Sequence, residues 1–198
     1  MKSLHSFINE SMIPNFTNNK KGIEDFCEYV FGTNKDIMTW SVNPDLTITV
    51  SLLNPPANGV NNIYMYTQDL KEIPEFIIFK DIENITLGIT HNKKLKNWSP
   101  KVIGTCKGVV VEEDNKLEIL DLTNCECLGG KLYIYKNKKL STIIGGRGED
   151  VQVFIRKNKE LINLDIKDFK KCKKGSYINL NKKLDISKAK YSQEICID

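Results

Sequence analysis

One short phrase recurs from about residue 86 to residue 186, and it restricts the fold more than any other feature of the chain. An apolar-x-apolar triplet is followed by a gap, an Asn-Lys turn, a Leu, and another apolar residue three further on. The copies are Leu87-Gly88-Ile89 with Asn92 and Leu95, and Val109-Val110-Val111 with Asn115 and Leu117. Then come Leu132-Tyr133-Ile134 with Asn137 and Leu140, and Val153-Phe154-Ile155 with Asn158 and Leu161. The marker leucines lie 22, 23 and 21 residues apart, and Leu184 in Asn181-Lys182-Lys183-Leu184 follows 23 further on. Leu70, 25 residues before Leu95 and preceded by Ile63-Tyr64-Met65, reads as an eroded earlier copy. A fixed period in this range predicts coils that stack into a solenoid, each burying the apolar face of its neighbour.

Alternation along a strand then assigns the triplets. Their outer residues point inward, their middle residues point outward, and successive triplets line up as a parallel sheet about 4.8 Å apart. The Asn after each strand suits a sharp bend, because its side chain can bond nearby backbone groups. Trp98, Leu120, Ile143 and Leu164, three residues after their leucines, are expected to close the core of each coil. Cys106, Cys127 and Cys172 follow their markers by 11, 10 and 11 residues, which predicts one buried column.

Ahead of the repeats the period changes. Ile23, Phe26, Cys27 and Val30 follow helical spacing, with Gly32 placed for a left-handed C-cap. From Met38 to Leu53 apolar residues alternate on both sides of Asn43-Pro44-Asp45, the pattern of a β-hairpin. The division is therefore an amphipathic segment (1–13), a helix–hairpin cap (20–60), the solenoid (61–186) and a C-terminal cap or tail (187–198). The expected class is a β-rich α/β fold: a leucine-rich-repeat-like solenoid with a parallel sheet, capped by an N-terminal helix and β-hairpin.

Composition adds exclusions. The net charge of +4 comes almost wholly from Lys, since Arg147 and Arg156 are the only arginines. With no Arg cluster, dense basic arm or zinc-finger spacing, nucleic acid is not an expected partner. Lys94, Lys116, Lys139 and Lys183 fall on the Asn-Lys turns, interrupted by Glu160, and read as a soluble edge. No apolar run approaches the ~18 residues of a membrane helix, so no membrane is expected. The six cysteines are expected to be reduced core residues, and Cys125-Glu126-Cys127 lacks a second pair at zinc spacing. His5 and His91 are the only histidines, and no nucleophile–base pair, phosphate loop or carboxylate pair is legible. No catalytic, metal or cofactor site is expected.

Two resemblances extend this reading. The phrase apolar-x-apolar-x-x-Asn-x-x-Leu-x-x-apolar resembles the leucine-rich repeat. With the block Trp40–Val50, Asp69-Leu70-Lys71-Glu72-Ile73-Pro74 and the Ser99-Pro100 link, it resembles a short-coil version common in tailed-phage and some bacterial genomes. That family pairs a small hairpin with coils whose strands are joined by loops. Separately, residues 1–11 resemble the capsid-targeting leader of internal proteins in T-even-type phages. There, a maturation protease cuts after a Glu preceded by Ile/Leu-x. Ile8, Glu10 and Ser11 match, implying cleavage between Glu10 and Ser11, with a capsid scaffold and that protease as partners. A plain structural or docking helix reads residues 1–13 equally well.

Function is then expected on the surface. The outward columns run Tyr64, Gly88, Val110, Tyr133, Phe154 and Tyr66, Thr90, Glu112, Tyr135, Arg156. Exposed Tyr, Phe and Arg are the types enriched at binding hot spots, though stacked rings also steady a sheet. The expectation is a non-enzymatic protein-binding solenoid that uses Tyr64, Tyr66, Val110, Tyr133, Tyr135, Phe154 and Arg156 on a concave face. It would reside in a phage virion, or in a bacterial cytoplasm as an unpackaged interaction module.

Overall fold

The computed structural model of the protein describes residues 15–53, 62–67 and 69–197. The leader residues Ile8, Glu10 and Ser11 lie outside these described residues. The chain forms a β-solenoid of about six turns preceded by one short helix.

Helix α1 (Lys20–Phe31) starts where Asn19 accepts the Gly22 N–H at 2.9 Å, satisfying one of the unpaired first-turn amides. Its Ile23, Phe26, Cys27, Val30 and Phe31 are fully buried. Gly32 is not a left-handed cap. It keeps right-handed angles (φ −57°), donates to the Glu28 carbonyl and leads into a single 3-10 turn, Gly32–Asn34. The expected hairpin follows as β1 (Met38–Val42) and β2 (Ile48–Leu52), antiparallel with Trp40 opposite Val50. β2 joins the next strand at Ile48–Phe79 in parallel, so the hairpin covers the edge of the first coils.

The four central coils lay strands on three faces. The first face carries the triplets, and its registers fix the core. Ile63, Leu87, Val109, Leu132 and Val153 form one inward column. Met65, Ile89, Val111, Ile134, Ile155, Ile178 and Ile197 form the other. The second face is a four-stranded parallel sheet in which Trp98, Leu120, Ile143 and Leu164 sit in register, all buried as expected. The third face was not expected as strand. It contains Glu126–Leu128, Arg147–Glu149 and Phe169–Lys170, and the long strands Ile78–Thr90 and Lys101–Glu112 turn the corner from it to the first face. Register shifts between Lys80 and Thr86 mark that corner.

The cysteine column is shorter than expected. Cys106 and Cys127 are register partners with their Sγ atoms 3.7 Å apart, but the next places are taken by Gly148 and Phe169. Cys172 lies three residues past Phe169, half-buried, because the later coils reach this face up to three residues sooner after their marker leucines. The tail is not a loose end. Cys196–Ile197 pairs in parallel with Tyr177–Asn179, and Ile195 is buried.

The sharpest device is at the turn after each first-face strand. A residue with positive φ (His91, Glu113, Lys136, Lys157, Leu180) swings the chain so that the following side chain enters the core. Those following residues are Asn92, Asp114, Asn137, Asn158 and Asn181, so the second copy uses Asp114 and not Asn115. Asp114, Asn137 and Asn158 each donate a backbone N–H to the side-chain oxygen one coil on, at 3.0, 3.0 and 2.9 Å. The amides of Asn137, Asn158 and Asn181 donate back to the carbonyls of Val111, Ile134 and Ile155 at 3.1, 3.0 and 2.8 Å. This ladder satisfies backbone groups that the bend would otherwise bury unpaired.

Candidate interaction surface

Outward side chains of the first face are set by the same registers. Tyr64, Gly88, Val110, Tyr133, Phe154 and Tyr177 form one column, and Thr90, Glu112, Tyr135, Arg156 and Asn179 form the next. Tyr133, Phe154 and Tyr177 are half-buried, with ring centroids 6.0 and 4.7 Å apart in edge-to-face contact, and Tyr135 lies 5.8 Å from Tyr133. Such offset geometry matches the positive edge of one ring to the negative face of the next.

Cations surround these rings. Lys131 Nζ lies 5.8 Å from the Tyr133 centroid, the Arg156 guanidinium 5.9 Å from Tyr177, and Lys136 and Lys157 4.9 and 5.5 Å from Tyr135. Lys157 also donates to the Tyr135 hydroxyl at 3.4 Å, and this holds the phenol below its ordinary range. Burial, then the Glu112 carboxylate, push the Tyr133 phenol the other way. The Arg156 Nε and the Asn179 Oδ1, on neighbouring strands, are buried without a hydrogen-bond partner.

Three of the expected residues depart from the open column. Tyr64 lies flat across Gly88: a Cβ built there would stand 2.7 Å from the ring. Burial and Glu112 push its phenol up to about 12. Val110 points outward yet is 1% exposed, so it offers nothing to a partner. Tyr66 turns to the cap: its N–H donates to the Val30 carbonyl at 2.9 Å and its ring sits 6.3 Å from Tyr29 of α1. The contiguous aromatic surface is therefore Tyr133, Tyr135, Phe154, Arg156 and Tyr177. Tyr177 is absent from the columns read off the sequence because its strand, Tyr177-Ile178-Asn179, lacks the apolar-x-apolar form of the other copies. Counting seven back from Leu184, as Tyr133 and Phe154 stand from Leu140 and Leu161, places it.

Comparison of the chain with protein-family models, curated proteins and solved structures gave no match in any of the three.

Proposed function

We propose that this protein is a non-enzymatic binding module that takes a protein partner on the first face of its solenoid. The observation that carries this reading is the run of half-exposed rings at Tyr133, Tyr135, Phe154 and Tyr177, laid on a rigid sheet and interleaved with Arg156. Rings held by their neighbours lose little side-chain freedom on binding.

Site-specific photocrosslinking tests it. A photoreactive side chain at Phe154 captures one defined partner in cells that produce the protein, whereas the same group at Asn163, on the second face, does not. With that partner in hand, Tyr133→Ala and Phe154→Ala each weaken binding by about tenfold or more. Equal crosslinking from both faces, or unchanged affinity in both variants, overturns the reading.

A further inference from the structure

The turn edge that flanks the first face presents a concentration of charge that the linear chain hides. In each of the five ladder turns, one residue before and two residues after the ladder Asn or Asp face solvent or the turn surface. Of those fifteen positions ten are lysine and two, Glu113 and Glu160, are acidic, a formal +8 on a chain whose total is +4. The remainder of the protein is therefore net negative, and the lysines are segregated. Coil stacking brings together residues that lie 20 or more positions apart in sequence, at a spacing of about 4.8 Å per coil.

Neutralisation within the edge is incomplete. Lys94 meets Asp69 at 3.9 Å, Lys136 meets Glu113 at 3.2 Å and Lys183 meets Glu160 at 2.5 Å. Lys138, Lys159 and Lys182 form no ion pair among the described residues. With Lys136, Lys157 and His91, and beside the carboxylates of Glu113 and Glu160, they line a groove of about 910 Å³ that crosses the coils.

We infer that this groove binds the phosphate backbone of a nucleic acid without reading its sequence. Lysine is depleted from protein–protein interfaces, which favour aromatic and arginine anchors. The groove has no arginine, and its nearest ring, Tyr135, is already occupied by Lys136 and Lys157. Rows of mobile ammonium groups instead suit phosphates, which need point charges and release counterions on contact. The lack of base-edge readers makes the contact electrostatic and tolerant of sequence. This groove adjoins the aromatic surface at Lys136 and Lys157, which contact Tyr135, while Lys138, Lys159 and Lys182 lie on the turns beyond it.

The test is fluorescence anisotropy of the full chain with a short labelled DNA, single-stranded and duplex, between about 50 and 200 mM salt. Binding is expected to both, falling steeply with salt. The triple variant Lys138→Glu/Lys159→Glu/Lys182→Glu is expected to lose at least about tenfold in affinity and to reduce the salt slope by about three. A control set of equal charge change off the edge, Lys71→Glu/Lys167→Glu/Lys174→Glu, retains binding. Thermal melts confirm that each variant folds, and the Lys→Gln triple at the same groove positions replaces the reversal if it does not. Absence of DNA binding at the lowest salt, or equal loss in the control set, overturns the inference. So does a labelled oligoglutamate peptide that binds as tightly as DNA, since the edge then fits an acidic protein segment.

Discussion

The side chain of Asn137 accepts the backbone N–H of Asp114 at 3.0 Å, although the two residues are 23 apart in sequence. Repeated from coil to coil, this contact ties each turn to the next. Removing Asn137 leaves the buried Asp114 N–H without its side-chain acceptor. Asn137→Ala is expected to cost roughly 1–3 kcal/mol for that orphaned donor. Asn115→Ala, one residue outside the ladder, should change stability by less than about 0.5 kcal/mol. Urea unfolding of the two variants checks the pair.

Asp114 is the one acid in the ladder, and its Oδ2 is buried without a partner. Burial pushes its carboxyl from an ordinary 3.8 up to about 7. Between those values the folded chain holds a proton that the unfolded chain has lost. Stability therefore falls as pH rises from about 4 to about 7 and levels off above. Asp114→Asn is expected to remove that slope and to raise stability at pH 8 by roughly 2–4 kcal/mol. Thermal melts of both proteins across this range decide it, and an unchanged slope would rule out Asp114 as its source.

Gly88 and Tyr64 are expected to behave as a coupled pair. Gly88→Ala forces the Tyr64 ring away from a backbone on which it now lies, at a cost of about 1–3 kcal/mol. In a Tyr64→Ala background the same change should cost much less, because the obstructing ring has gone. A double-mutant cycle measured by denaturant unfolding gives the coupling directly.

The cysteines should sort by burial. Cys27, Cys106, Cys125 and Cys127 are buried, Cys172 is half-buried and Cys196 is exposed. Burial, and for Cys127 first the contact with Cys106, push the buried thiols of Cys27, Cys125 and Cys127 upward, which suppresses the reactive thiolate. Alkylation of the folded protein, followed by mass mapping, is expected to label Cys196 first and Cys172 more slowly. The other four react only on unfolding.

Charge placed in the inward columns tests how far the coils cooperate. Ile134 is fully buried between Val111 and Ile155. Ile134→Asp puts an unpaired carboxylate there, at a cost of several kcal/mol. Loss of amide-exchange protection is expected in the coils on either side as well as in its own, since each coil is stable only against its neighbours.

Much of this protein is legible in one dimension because it depends on local periods. The leucine spacing announces stacked coils, alternation in Leu132-Tyr133-Ile134 and Val153-Phe154-Ile155 separates core from surface, and the Met38–Leu53 pattern gives the hairpin. What remained hidden depends on contacts between coils about 22 residues apart. Only the fold decides that Asp114 enters the ladder while Asn115 stays outside, because a positive-φ Glu113 sets which side chain turns in. Only the fold buries Val110, draws Tyr66 to Tyr29 and brings Tyr177 onto Phe154. The same holds for the basic edge: each lysine looks like ordinary soluble surface in the chain, and stacking at strand spacing makes the columns one field.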